Sequence, residues 1–149
     1  MAGQKEIAKR LEDFYSSVDI EDDYQEMLDE TGTVEIGGLT YTPSDVLLEI
    51  DPTAYRVGLA DYEGTRDDLV EVNGDYYTQE DYDEVENEID DEIYELEEKQ
   101  GELEDLQTDL QDELEENTDD EEIEKLKEKI DDLQDEIEEI IQELNTLKE

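Results

Sequence analysis

The chain has 149 residues, and 54 Asp and Glu against 10 Lys and Arg give a formal net charge of -44. Cysteine and histidine are both missing, which excludes disulfides, thiolate or imidazole metal ligands, and Cys- or His-based catalysis. Phosphates repel so acidic a chain, so direct nucleic-acid binding is not expected, and no apolar run approaches the ~20 residues that span a bilayer, so membrane insertion is not expected either.

Only 34% of residues are hydrophobic, and low hydrophobicity with high net charge normally signals disorder. The periodicity argues instead for a folded chain. Residues 5–30 read as helical, in one piece or two: Ile7, Leu11 and Phe14 sit at helical spacing, and Tyr24, Met27 and Leu28 continue the pattern. Gly32 ends this section. In the stretch VEIGGLTYTPSDV (34–46), Val34 and Ile36 alternate with polar residues, Gly37-Gly38 forms a two-residue turn, and Leu39 and Tyr41 return. Thr42-Pro43-Ser44-Asp45 is a helix start, with Thr42 as N-cap and Pro43 at the first helical position. A short helix carrying Val46, Leu47 and Ile50 follows.

The stretch VEVNGDYYTQEDY (70–82) has the same grammar: Val70 and Val72 alternate, Asn73-Gly74 turns, Tyr76-Tyr77 returns, and Thr78 caps the next helix. Internal duplication accounts for the likeness, and so do the shared demands of turn and cap chemistry. Two hairpins predict a small antiparallel sheet. Because one hairpin is marginal in water, they are expected to pair with each other or to pack on helices.

Between the two stretches, Asp51-Pro52 starts a helix whose Tyr55, Leu59 and Tyr62 share a face, and Gly64 closes it. Arg56, set among carboxylates, is expected to pair locally. The run DPTAYRVGLADY, with its preceding hairpin, resembles small proteins of tailed bacteriophages and tailed haloarchaeal viruses over about residues 33–62. No activity is established for that group. The resemblance therefore implies a source rather than a function, and no catalytic residue is carried over.

From residue 79 to residue 149 there is no proline and one glycine, Gly101. Ile123, Ile130, Ile137 and Leu144 form one heptad series, and Leu126, Leu133, Ile140 and Leu147 form the other. A rougher stripe precedes them: Val85, Ile89, Ile93, Leu96, Leu103, Leu106, Leu110 and Leu114. The stripes break near 117–119, where Thr118 and Glu121 read as a capping box and Asn117 as a helix end. This predicts an antiparallel helical hairpin, with Leu110 facing Leu126, Leu106 facing Ile130 and Ile89 facing Leu147. The alternative is one continuous helix in a parallel oligomer. In the hairpin, Lys125, Lys127 and Lys129 are expected beside Asp112, Glu113, Glu115 and Glu116. Ile141 lies beside the main stripe and widens it towards self-association.

The expected fold is therefore α+β: a small helix and β-hairpin module over residues 1–78, then an acidic antiparallel coiled-coil hairpin over residues 79–149. Its expected core is Ile89, Ile93, Leu96, Leu103, Leu106, Leu110, Leu114, Ile123, Leu126, Ile130, Leu133, Ile137, Ile140, Leu144 and Leu147. Tyr41, Tyr55, Tyr62, Tyr76 and Tyr77 are candidate interface aromatics, or else the rim of a small core. Acidic pairs occur everywhere and single out no catalytic site. Neither DYEGTRDDLVEV nor VNGDYYTQEDYDE fits the EF-hand spacing, so non-specific cation condensation is expected and no cofactor or specific metal site.

Residues 1–78 hold 20 acids and 5 bases, and residues 79–149 hold 34 and 5. An excess spread over the whole chain fits adaptation to high salt. A basic partner, or an ordinary acidic coiled coil, accounts for it as well. The first residues lack an uninterrupted apolar core, so a secretory signal is not expected and the location is the virion or the host cytoplasm during assembly. The functional expectation is a non-enzymatic structural or assembly protein, a homo-oligomer or a partner of other virion proteins. The alternative is an acidic regulatory binder or assembly chaperone that engages a basic partner.

Overall fold

A computed structural model describes residues 1–149. The elements in order are α1 (Gln4–Phe14), α2 (Ile20–Asp29), β1 (Val34–Ile36), β2 (Leu39–Tyr41), α3 (Pro43–Ile50), α4 (Pro52–Thr65), β3 (Leu69–Val72), β4 (Asp75–Thr78), α5 (Gln79–Glu116) and α6 (Asp120–Lys148). The protein is mostly helical, with two antiparallel hairpins and one very long helix. Residues 117–119 separate α5 from α6, so a single continuous helix is not what forms.

Two compact units divide the chain: Met1–Asp13 with Tyr82–Glu149, and Phe14–Asp81. This differs from the division at 78 read from the sequence, because the first residues belong with the long helices. In α1, Ile7 and Leu11 are completely buried. The Arg10 guanidinium donates to both Glu92 carboxylate oxygens, at 2.8 and 2.7 Å, and to Glu6 at 3.0 Å. The Gly3 N–H donates to the Leu147 carbonyl at 2.8 Å, and the Lys5 ammonium pairs with Glu149. A Cβ on Gly3 would collide with the backbone of Lys148 and Glu149, so only glycine permits this approach. Phe14, expected on the buried face, is 78% exposed.

Eight of the expected helical core residues are buried: Ile89, Ile93, Leu126, Ile130, Ile137, Ile140, Leu144 and Leu147. Leu96, Leu103, Leu110, Leu114, Ile123 and Leu133 are half-buried, and Leu106 is exposed. On α5 the buried positions Ile89 and Ile93 flank Glu92, the residue to which Arg10 of α1 is tied, and burial fades beyond Gly101. On α6 it does not fade, since Leu126 and Ile130 near the turn are buried as well. Lys99 and Glu136 pair across α5 and α6 at 3.0 Å, close to the register read from the sequence. Lys148 also pairs with Glu97, well off that register.

The N-cap of α6 is Asp119, whose carboxylate accepts from the Glu121 N–H at 3.0 Å, rather than Thr118. Asn117 Oδ1 accepts from the Asp119 N–H and tightens the turn. Lys125 pairs inside its own helix with Glu121 and Glu122, and no ion pair crosses the turn. Exposed lysines gain too little from one geometry to be drawn across.

In the other unit, both hairpins carry two-residue turns of positive φ, at Gly37-Gly38 and Asn73-Gly74, as the sequence demands. Each forms its own two-stranded sheet, and they do not pair with each other. The core is aromatic. Tyr55 is 2% exposed and meets Tyr24 edge-on, with ring centroids 5.4 Å apart, and Tyr62 lies 5.7 Å from Tyr24 on its other side. Asp51 caps α4 by accepting from the Ala54 N–H at 3.0 Å, with Pro52 in the first turn. Thr42 occupies the N-cap position of α3, but its hydroxyl donates to Asp45, and Asp29 of α2 instead accepts from the Ser44 N–H and hydroxyl at 2.9 and 3.0 Å.

Candidate interaction surface

The first hairpin pairs Val34 with Tyr41, Glu35 with Thr40 and Ile36 with Leu39. Because side chains alternate across a strand, Val34, Ile36, Leu39 and Tyr41 share one face, and Glu35 and Thr40 share the other. A face of four large apolar residues should be covered, yet Ile36 is 54% exposed, Leu39 61% and Tyr41 42%. The following helix closes only one side. Ile36, Tyr41, Val46 and Ile50 line an open groove of about 210 Å³ with Asp45 and Glu49 at its margin, and the surface it presents is apolar. Leu48 and Ile50 on α3 are exposed too. The charged residues at the groove, Asp45 and Glu49, are both acidic, and residues 34–51 hold no base.

The second hairpin shows what covering looks like. Its register sets Val70 opposite Tyr77 and Val72 opposite Asp75. Tyr77 is buried, and Val70 and Val72 are half-buried. Its edge is also occupied: the Val18 N–H donates to the Tyr76 carbonyl at 2.6 Å in an isolated antiparallel bridge. The first hairpin has no such third strand.

The five candidate aromatics separate accordingly. Tyr41 lies on the open groove. Tyr55 and Tyr77 are core residues. Tyr62 packs on Tyr24 and lies beneath the Arg66 guanidinium, 5.7 Å from ring centroid to Cζ. Tyr76 lines a second cleft of about 350 Å³ with Ser17, Asp19, Glu21, Glu63 and Asp75. No group of three or more side chains in the protein closes to metal-ligand geometry.

The electrostatics of this unit centre on Arg66, not on Arg56, which makes no ion pair. Arg66 donates to Asp68 at 2.9 and 3.1 Å, to Asp23 at 2.7 Å and to the Tyr62 hydroxyl at 3.1 Å. The guanidinium holds the Asp68 carboxyl below the usual carboxylate range. Burial pushes the Tyr55 phenol up. Its hydroxyl donates to Glu21 at 3.0 Å and accepts from the Gln25 amide at 2.8 Å, so the core aromatic is fully satisfied. Neighbouring Glu71 raises the Tyr76 phenol chiefly through its charge.

No protein-family model, curated protein or solved structure matches the chain. No helix is long and apolar enough to cross a membrane.

Proposed function

We propose that this chain is a non-enzymatic structural or assembly protein of a tailed virus of a salt-loving archaeon. It acts through contacts with other proteins and between its own copies, in the virion or in the host cytoplasm during assembly. The observation that carries the interaction reading is the uncovered apolar face of β1, β2 and α3. Contiguous exposed patches of that kind mark interaction sites on monomeric proteins. The viral setting is supported by the likeness of residues 33–62, and the high-salt setting by the acidic excess in both halves of the chain.

In this reading α5 and α6 form an antiparallel coiled-coil hairpin that serves as a rigid spacer or docking surface. Their heptad stripe, the short connection at 117–119 and the Lys99–Glu136 pair support it. Leu106 and Ile141 remain exposed along it, and association of copies covers them.

An acidic regulatory binder or assembly chaperone is the second reading, favoured by the two carboxylates at the groove, Asp45 and Glu49. Proteomics of purified virions separates the two. A structural protein is present in stoichiometric amount, whereas absence from particles overturns the virion assignment in favour of the regulator. Light scattering tests self-association: a chain that stays monomeric at high concentration is not a homo-oligomer.

A further inference from the structure

The first hairpin asks for a cover that the chain does not supply. A two-stranded sheet is marginal in water unless its apolar face is packed. Here Ile36, Leu39 and Tyr41 are all substantially exposed over a groove whose lining is apolar. The charged residues lining the groove are both carboxylates, Asp45 and Glu49 on α3. An occupant must therefore be apolar at its centre and cationic at its flanks.

The chain has two clusters of that composition, Lys5–Arg10 and Lys125–Lys129. Neither is free to serve. Ile7 and Leu11 in the first, and Leu126 and Ile130 beside the second, are already buried in their own unit. Docking either cluster in the groove of another copy would unpack a core, which costs more than the groove returns. A second copy is thus a poor occupant.

We propose that the β1–β2 face and α3 form a docking groove for a segment of a different protein that presents large aliphatic side chains between lysines or arginines. The aliphatic side chains seat against Ile36, Leu39, Tyr41, Val46 and Ile50, and the cations lie along Asp45 and Glu49. The apolar contact sets affinity, and the charges set orientation and association rate. This rests on the reading of the chain as an interaction protein and is independent of the virion setting.

The probe is a short synthetic peptide with a Val-Ile-Val centre and lysines on both sides. Its control has the same lysines around a Ser-Ser-Ser centre. Any polycation associates with a chain of net charge -44, so the informative quantity is the difference between the two peptides. Fluorescence anisotropy at high salt is expected to show the aliphatic peptide binding at least about tenfold tighter. The Ile36→Ser/Leu39→Ser variant should abolish that preference. Both positions are exposed, so circular dichroism should be unchanged; Ile50→Ser, at a site 73% exposed, is a second variant should the first misfold. Equal binding of both peptides overturns the proposal, as does a preference that survives in a folded variant. If the variants instead convert an oligomer of the chain to monomer, the groove is a contact between copies and the proposal is again overturned. That last outcome leaves the interaction reading standing, so the two failures are distinguishable.

Discussion

Gly58 lies against the hydroxyl end of Tyr24. A Cβ built at 58 would overlap the Tyr24 hydroxyl oxygen and stand 3.1 Å from Cζ. Glycine inside a helix normally costs about 1 kcal/mol against alanine, so Gly58→Ala in α4 ought to stabilise on propensity alone. The close approach reverses the sign. Tyr24 is clamped between Tyr55 and Tyr62 and cannot swing away freely. Gly58→Ala is predicted to cost roughly 1–3 kcal/mol through overpacking. Chemical denaturation should show Tyr24→Phe partly rescuing it, since the nearest atom is the hydroxyl. A neutral Gly58→Ala would mean the ring is not held as described.

That position also shows how far the sequence could be read. Turns and caps with local chemistry were legible: Gly37-Gly38, Asn73-Gly74, Asp51 over Ala54, and Thr78 over Asp81. So was the apolar stripe of α5 and α6. Features set by distant residues were not. Gly58 reads as a weak point in a helix until Tyr24 is placed beside it. Ser44 is capped by Asp29, fifteen residues away, while Thr42 looked like the cap. Asp119 and Thr118 are adjacent and both able to cap, and only backbone geometry chooses. The two hairpins share one grammar, yet Tyr77 of the second is buried and Tyr41 of the first is exposed. The edge of the second is bridged by Val18, and nothing in either hairpin's own sequence announces that.

The Glu6–Arg10–Glu92 cluster ties α1 to α5. Arg10→Ala leaves the largely buried Glu6 without its cation, and a loss of about 1–3 kcal/mol is expected. The pH dependence has a definite sign. Hydrogen bonds from Arg10 hold Glu92 below the usual carboxylate range. A depressed native pKa adds stability above the unfolded value of about 4.3, and that stability is lost as pH falls through the native value. Wild type should therefore exceed Glu92→Gln in stability at neutral pH. The difference should begin to shrink below about pH 4.3 and vanish in stronger acid. Relief of repulsion among the other carboxylates is common to both proteins and cancels. A difference that stays constant down to low pH would sink the assignment.

Lys5, Arg10, Arg66, Lys99, Lys125 and Lys148 are the cationic side chains in ion pairs, against 54 acidic residues. Salt weakens each of those pairs, but mostly exposed pairs are worth little, about 0–1 kcal/mol. Self-repulsion is the larger effect. Screening shortens from about 10 Å at 0.1 M to about 3 Å at 1 M. The helical circular dichroism signal is expected to fall as salt drops below about 1 M, with a rising thermal midpoint on salt addition. A full helical signal in dilute buffer would rule out the high-salt reading.

The coiled-coil hairpin makes the sharpest demand on α5 and α6. If Leu110 faces Leu126, Leu110→Cys with Leu126→Cys in one chain should oxidise to a disulfide within that chain, run at monomer mass without reductant, and form equally well at low concentration. Leu110 is half-buried and Leu126 buried, so the second substitution is expected to lower stability while leaving the helices in place. Lys99 and Glu136 need no substitution: their ammonium and carboxylate meet at 3.0 Å, so a zero-length carbodiimide crosslink should join them within one chain. Disulfides that form only between chains would show that α6 packs on α5 of another copy. The half-buried stripe of Leu103, Leu110 and Leu114 would then be completed by exchange of helices rather than by the turn at 117–119.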